Sequence, residues 1–199
     1  ESTTAAEETI QMVTEQNERL SKLVRTLLDM SELQTVARND RIELHGLIEE
    51  VLTDLEPLAQ EKNIELIQNS HRGGENADEE LFLTGSDILI YRMLYNLVEN
   101  AIKYNQKDGT VTVSAIKEKN EVVLTVSDTG NGIDEAFRTQ IFEPFFRVDK
   151  SRSRELGGVG LGLTMVREVV RVHDGTIKVY ANKNKGTTFE VKMRLGAEK

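Results

Sequence analysis

In the stretch NLVENAIKYN, Asn96 and Asn100 stand one helical turn apart, with Lys103 and Tyr104 at i+7 and i+8 on the same line. An amide oxygen is a hard donor suited to Mg²⁺, a lysine suits phosphate, and a tyrosine ring can cover a base. Asparagine is a mediocre helix former, because its amide competes for backbone hydrogen bonds, so two of them on one face ask for a reason. One reason is a ligand wall. The other is a solvated face that ends at Asn105.

Two further stretches carry chemistry. Val122–Val126 reads as an apolar strand, and Asp128-Thr-Gly-Asn-Gly-Ile133 follows it, with Gly130 and Gly132 set where the strand itself needs no costly flexible turn. Between Phe142 and Leu163 runs FEPFFRVDKSRSRELGGVGLGL, which gathers Arg147, Lys150, Arg152 and Arg154 in a chain that is otherwise acidic. Gly157, Gly158, Gly160 and Gly162 precede and open a helix, whose free N–H groups and positive dipole end favour anions. The spacing is not that of a dinucleotide-binding loop, and no Gly-Lys pair is present for a Walker A loop. Taken singly, this glycine cluster also suits a plain flexible turn.

The elements that must position these groups fall into two parts. Glu8–Gln34 holds no Gly or Pro, and Ile10, Val13, Asn17, Leu20, Val24, Leu27 and Ser31 recur along a stripe at spacings of three and four. This predicts one amphipathic helix of roughly 40 Å, which needs a neighbour: another copy, or a segment absent from the sequence. Thr35–Arg41 reads as a polar linker. Beyond it the patterning predicts a strand near Arg41–Leu44, a helix to about Gln60, a strand at Ile64–Gln68 and a polar loop at His71–Asp78. After Leu81–Leu83 come a helix from Asp87 to Lys103, strands at Thr110–Ile116 and Val122–Ser127, a short helix near Asp134–Phe142 and a helix from Leu161 to His173. Strands at Thr176–Tyr180 and Thr187–Arg194 finish the chain. The expected class is α+β, a two-layer sandwich with a mixed, mostly antiparallel sheet and helices on one face.

Composition narrows the partners. With 34 acidic against 25 basic residues, a net charge of -9 argues against a nucleic-acid surface. The absence of cysteine excludes disulfides, zinc knuckles and thiol catalysis. No apolar run reaches the roughly 18 residues of a membrane helix, so this piece reads as soluble, although a parent protein can still be anchored.

NLVENAIKYN (96–105), DTGNGI (128–133), FEPFFR (142–147), GVGLGL (158–163) and GTTF (186–189) occur in the order and at the intervals of the ATP-binding domain of bacterial sensor histidine kinases. The chain resembles that family from about Glu8 to Leu195. The resemblance implies the Bergerat-type ATP fold, with ATP and Mg²⁺ as cofactors. It assigns the adenine amino group to Asp128, with Gly130 and Gly132 allowing close approach of the purine and Ile133 beside them. Asn100 becomes the Mg²⁺ ligand with Asn96 next to it, while Lys103 meets phosphate and Tyr104 lies on the adenine. Gly158, Gly160, Leu161, Gly162 and Thr188 complete the nucleotide shell, and Arg147 and Lys150 reach the terminal phosphates from a lid. Asn96, Asn100, Lys103, Arg147 and Lys150 thus form the reacting end. Phe142, Phe145 and Phe146 either pin the lid to the core or dock a helical domain.

Gyrase-type ATPases of the same fold carry a water-activating Glu four residues before the magnesium Asn. Here that place holds Asn96, and Glu99 reads as a solvated helix charge, so the resemblance implies that ATP is kept for transfer. The family's acceptor is a His followed by Glu or Asp and then Pro, on the first helix of a dimerising hairpin. His45, His71 and His173 sit in no such motif and read as structural or surface residues. The first helix looks instead like the second helix of that hairpin. The sequence therefore divides into residues 1–38, a partial dimerisation helix, and 39–199, the catalytic domain. The expected partners are a phosphoacceptor His domain, on the parent chain or a dimer mate, and a response regulator receiver domain, with a homodimer through the first helix. The expected setting is cytoplasmic, within a membrane-anchored sensor. Two rivals stand beside this reading: an anti-sigma-factor-type protein-serine kinase of the same fold, and a non-catalytic nucleotide-responsive docking module.

Overall fold

The computed structural model describes residues 10–14, 16–17, 20–21, 24, 27–28, 30–31, 33, 35–69, 81–148, 159–182 and 185–195. The predicted loop around His71, together with Lys150, Gly157 and Gly158, lies outside these residues. Of the first helix, the described positions from 10 to 31 are helical, and its stripe stays in solvent: Ile10, Val13, Leu20, Val24 and Leu27 are all exposed. Leu33, just beyond, is buried in the core, with Met30 and Val36 packed against it.

From Asp40 onward the chain alternates. Strand β1 (Asp40–Glu43) leads into helix α1 (Leu44–Glu61), then β2 (Glu65–Gln68), β3 (Phe82–Gly85) and helix α2 (Asp87–Lys103). A hairpin of β4 (Thr110–Glu118) and β5 (Glu121–Asp128) follows, and helix α3 (Gly162–Val172), β6 (Thr176–Ala181) and β7 (Thr187–Arg194) complete the fold. Glu43 sets the start of α1, one residue before the point that patterning alone suggests. Its carboxylate accepts from the N–H groups of His45 at 3.0 Å and Gly46 at 2.6 Å, so the last strand residue acts as the helix cap. The single short helix expected at Asp134–Phe142 is instead two 3-10 turns, Glu135–Phe137 and Gln140–Phe142. A nine-residue segment is too short to repay α-helix nucleation, and single 3-10 turns suit such pieces.

Five strands form one sheet in the order β2-β4-β5-β7-β6, in which only the β2–β4 pair is parallel; β1 and β3 form a separate antiparallel pair. Registered neighbours Val113, Val126, Phe189 and Val179 share one face, as do Ala115, Leu124, Val191 and Ile177. The helices cover this face. Leu89, Ile90, Met93, Leu94, Leu97 and Ile102 of α2 are buried there, each contributing about 1.5–3 kcal/mol relative to exposure. The architecture is the mixed, mostly antiparallel two-layer sandwich that the patterning predicts.

This frame has one consequence for chemistry. Side chains alternate along β5, so Asp128 occupies the row of Val122, Leu124 and Val126 and ends it. A carboxylate stands where the pattern of the core face asks for another aliphatic residue.

Candidate nucleotide site

Asp128 is 8 % exposed. Its Oδ1 accepts from the Gly130 N–H at 2.8 Å and the Thr187 N–H at 3.1 Å, which leaves Oδ2 for a ligand among the described residues. Burial pushes the carboxyl above the usual carboxylate value, and the two backbone donors pull it part of the way back. Burying a charge without a partner costs stability, so this carboxyl is a candidate ligand contact.

Two glycines shape this end. A Cβ on Gly130 would lie 2.6 Å from the Tyr104 carbonyl oxygen and 3.0 Å from Asn105 Cα, so only glycine lets the turn after β5 rest on the end of α2. Gly186 has φ +96, and a Cβ there would run into the Asp128 carbonyl oxygen. Asn105, expected merely to end the helix, is buried and knits the turn together. Its Nδ2 donates to the Thr110 carbonyl at 3.1 Å, and its Oδ1 accepts from the Thr129 hydroxyl at 3.2 Å. Tyr104 is 43 % exposed at the same helix end, its ring open to a ligand.

The other end lies up α2, about 12 Å from Tyr104 to Asn96 along the axis. A Cβ on Gly162 would stand 2.7 Å from Asn96 Oδ1 and 3.9 Å from Asn100 Nδ2, so the start of α3 packs directly on the two asparagines. Asn96 Nδ2 donates back to the Arg92 carbonyl at 2.7 Å, which turns its oxygen toward Gly162. The Asn100 amide makes no hydrogen bond among the described residues, leaving it open to a ligand. Gly160 has φ +81, and its carbonyl accepts from the Phe145 N–H at 2.9 Å, tying the glycine segment to the lid sequence. Leu161, next to it, is buried and anchors this segment. Asn96, Asn100 and Gly162 thus lie together, with Gly160 two residues before Gly162 against Phe145 and Phe146. Among the described residues, no cluster of three His, Cys, Asp or Glu side chains is placed to hold a metal.

Other expected residues are placed differently. Lys103 Nζ is 2.7 Å from Glu99 Oε1 in an i, i+4 pair, so Glu99 is a partner of the lysine and not a lone solvated charge. Phe142 is buried edge-on to Phe189 at 6.4 Å and Phe146 lies 6.0 Å from Phe137, whereas Phe145 is 55 % exposed with φ +64. The aromatic cluster therefore divides, two rings pinning the segment and one facing solvent. Arg147 is half-buried, Ile133 packs against the core, and Gly132, at φ +77, opens to solvent. His173 is structural as expected: its Nδ1 donates to the Val169 carbonyl at 2.8 Å and its Nε2 accepts from the Ser86 N–H at 3.0 Å. A separate cavity between β1 and α1, lined by Asp40, Glu43, Glu50 and Asp87, has the wrong charge for phosphate.

Known proteins decide what this arrangement belongs to. The family of histidine kinase-, DNA gyrase B- and HSP90-like ATPases matches residues 85–197, which hold every element of the site. The chain belongs to this ATPase family. Within the family its similarity is to sensor kinases: 32 % identity over 186 residues to the sensor histidine kinase RppB of Synechocystis, and 34 % over 201 residues to the signal transduction histidine-protein kinase ArlS of Staphylococcus aureus. These matches cover 92 % and 93 % of the chain but only 40 % of each relative. The catalytic domain of the histidine kinase ThkA superposes with a TM-score of 0.67 at 26 % identity, over 78 % of this chain and 95 % of that one. ThkA in complex with its response regulator protein TrrA gives a TM-score of 0.72 over 93 % of this chain. The chain is thus a histidine kinase-type ATPase domain, and the sandwich read from its sequence is the fold of this family. No helix among the described residues is long and apolar enough to cross a membrane.

Proposed function

We propose that this domain binds Mg-ATP along α2 and delivers the γ-phosphoryl group to a histidine outside the sequence. The observation that carries the reading is the buried Asp128, its Oδ1 preset by two backbone donors and its Oδ2 left to accept from an amino group at a purine edge. A guanine presents an acceptor at that edge and is repelled. Tyr104 lies along the base, and the N–H groups that open α3 at Gly160–Gly162 face the phosphates. Asn100, with Asn96 beside it, would hold a Mg²⁺ ion, which when bound neutralises charge on the β- and γ-phosphates. Lys103, Arg147 and Lys150 add positive charge at the reacting end, and Gly158 and Leu161 complete the shell, whereas the Thr188 hydroxyl is engaged with Asn182 and Ser127. Phosphoryl transfer asks the protein mainly for such positioning. An imidazole nitrogen of the acceptor bonds to the γ-phosphorus as the bond to the β,γ-bridging oxygen breaks, and ADP leaves.

With Asn at position 96, four residues before Asn100, no carboxylate is placed there to activate water. This favours transfer over hydrolysis. Residues 1–38 we assign to the second helix of a dimerisation hairpin, in keeping with the exposed stripe, and 39–199 to the catalytic domain. The acceptor His then sits on the parent chain or a dimer mate, a response regulator receiver domain takes the phosphoryl group onward, and the stripe pairs two copies. The parent is a membrane-anchored sensor with this domain on the cytoplasmic side, where ATP is supplied.

The test adds labelled ATP and a separately prepared hairpin bearing the acceptor His. Acid-labile label on the hairpin is expected, with none on this chain alone. Acid-stable label on a partner serine would favour the serine-kinase reading. An unmodified hairpin in the presence of bound nucleotide would leave a docking module.

A further inference from the structure

Asn182, just past β6, belongs to none of the motifs that mark the site. In the fold its Nδ2 donates to the main-chain oxygen of Asp128 at 2.8 Å and to Ser127 Oγ at 3.1 Å. Its Oδ1 accepts from the Thr188 hydroxyl at 2.7 Å, and Thr188 Oγ1 is also 2.9 Å from Ser127 Oγ. The three side chains close a ring. Turning the amide over would set its oxygen against the Asp128 carbonyl, which can only accept, so the ring favours one orientation.

The ring has a definite place relative to the carboxylate. Ser127 pairs with Thr188 across β5 and β7, and alternation puts both on the sheet face opposite the Asp128 side chain. This is the last registered pair of that ladder. Past it, the Asp128 carbonyl accepts from the Asn182 side chain in place of a β7 N–H, and the Thr187 N–H donates to the Asp128 carboxylate in place of a main-chain carbonyl. Asn182 also donates its own N–H to the Gly186 carbonyl at 3.1 Å, closing the turn that presents Thr187. One residue therefore fixes both the backbone of Asp128 and the donor that aims its carboxylate.

We propose that Asn182 is a positioning residue for purine discrimination, acting through Asp128 from the far face of the sheet, with the Thr188 hydroxyl as its clamp. The inference rests on the nucleotide reading above. It also gives Thr188 an indirect part, since its hydroxyl is engaged with Asn182 and Ser127.

The experiment measures binding of two non-hydrolysable triphosphates with magnesium, one of adenosine and one of purine riboside, which lacks the 6-amino group. The Asn182→Ala variant is expected to bind the adenosine compound about tenfold more weakly, the scale of one well-placed hydrogen bond to a charged acceptor, and the purine compound within about twofold of wild type. Thr188→Val should move the same way and Thr188→Ser should keep the wild-type preference; this pair carries the test if Asn182→Ala does not fold. Equal weakening toward both compounds, or an unchanged preference in Asn182→Ala and Thr188→Val, overturns the proposal. Asp128→Asn separates the two levels: if it too keeps the preference for adenosine, the adenine assignment itself is wrong and the role of Asn182 falls with it.

Discussion

The two ends of the site are built on opposite plans. Around Asp128 nearly every polar group already has a partner within the protein: Gly130, Thr187, Asn182, Asn105 and Thr129 form a continuous set of bonds on a buried acid. Around Gly162 the polar groups stand ready but unengaged, with the Asn100 amide and the Asn96 oxygen facing a glycine-lined helix start. On the proposed reading the first end is a preformed reader, since discrimination between purines depends on a donor and an acceptor held in fixed places. On the same reading the second accepts a metal and a phosphate chain that changes during the reaction, which donors uncommitted to the protein suit. Rigidity sits where selection happens, and open valence where the charge moves.

Variants at the two ends should therefore fail in different ways. The largest effect is expected for Gly186→Val, which combines a left-handed backbone with a collision against the Asp128 carbonyl. A loss of about 3 kcal/mol in stability and of all measurable nucleotide binding is expected, read by thermal melting and calorimetry. Asp128→Asn comes next. Losing a charged acceptor should weaken ATP binding by about ten- to a hundredfold. The same change should raise the melting temperature by about a few degrees. The sign follows from the raised carboxyl: the folded state prefers the protonated form, so its contribution is complete below the unfolded value of 3.8 and is lost as the pH climbs through the folded one. At neutral pH the ionised acid is a burden that Asn removes. A variant weaker in both respects would break the comparison.

At the open end, Gly162→Ala should push the Asn96 oxygen aside and weaken triphosphate binding by about fivefold while leaving adenosine binding unchanged. The smallest effect concerns neither end. Burial holds the His173 imidazole below its usual value of 6.5, and Arg38 adds to this, while the bond to Val169 and the charge of Asp174 oppose it. The unfolded chain therefore takes up a proton that the folded ring resists, and stability should be complete above about pH 6.5 and fall as the pH drops below it. His173→Gln should flatten that slope in melts between pH 5 and 7.5; an unchanged slope would mean that other groups set it.

Legibility in the sequence followed the range of the interactions. Asn96, Asn100 and Tyr104 announce themselves because helical spacing puts them on one line, and α2 runs from Asp87 to Lys103 as the apolar stripe predicts. Asp128 is legible because a carboxylate ends a core-facing row. Asn182 is not, since its partners lie 54 and 55 positions earlier and six positions later, and a lone polar residue after a strand carries no pattern. The parallel pairing of β2 with β4 is hidden for the same reason, as nothing local in Glu65–Gln68 specifies its neighbour. The Lys103–Glu99 pair sits at ordinary i, i+4 spacing, but which charge a helix lysine meets depends on rotamers that the sequence does not state.

Helices α2 and α3 lie head to tail: Gly162 meets Asn96 at one end, and His173 holds the Ser86 N–H at the other. The shorter helix is thus a strut of roughly 16 Å, bolted by its imidazole to the start of the longer one. The one short helix carries, at its two tips, a glycine packed on the Asn96 amide and an imidazole that caps a free N–H where the longer helix begins.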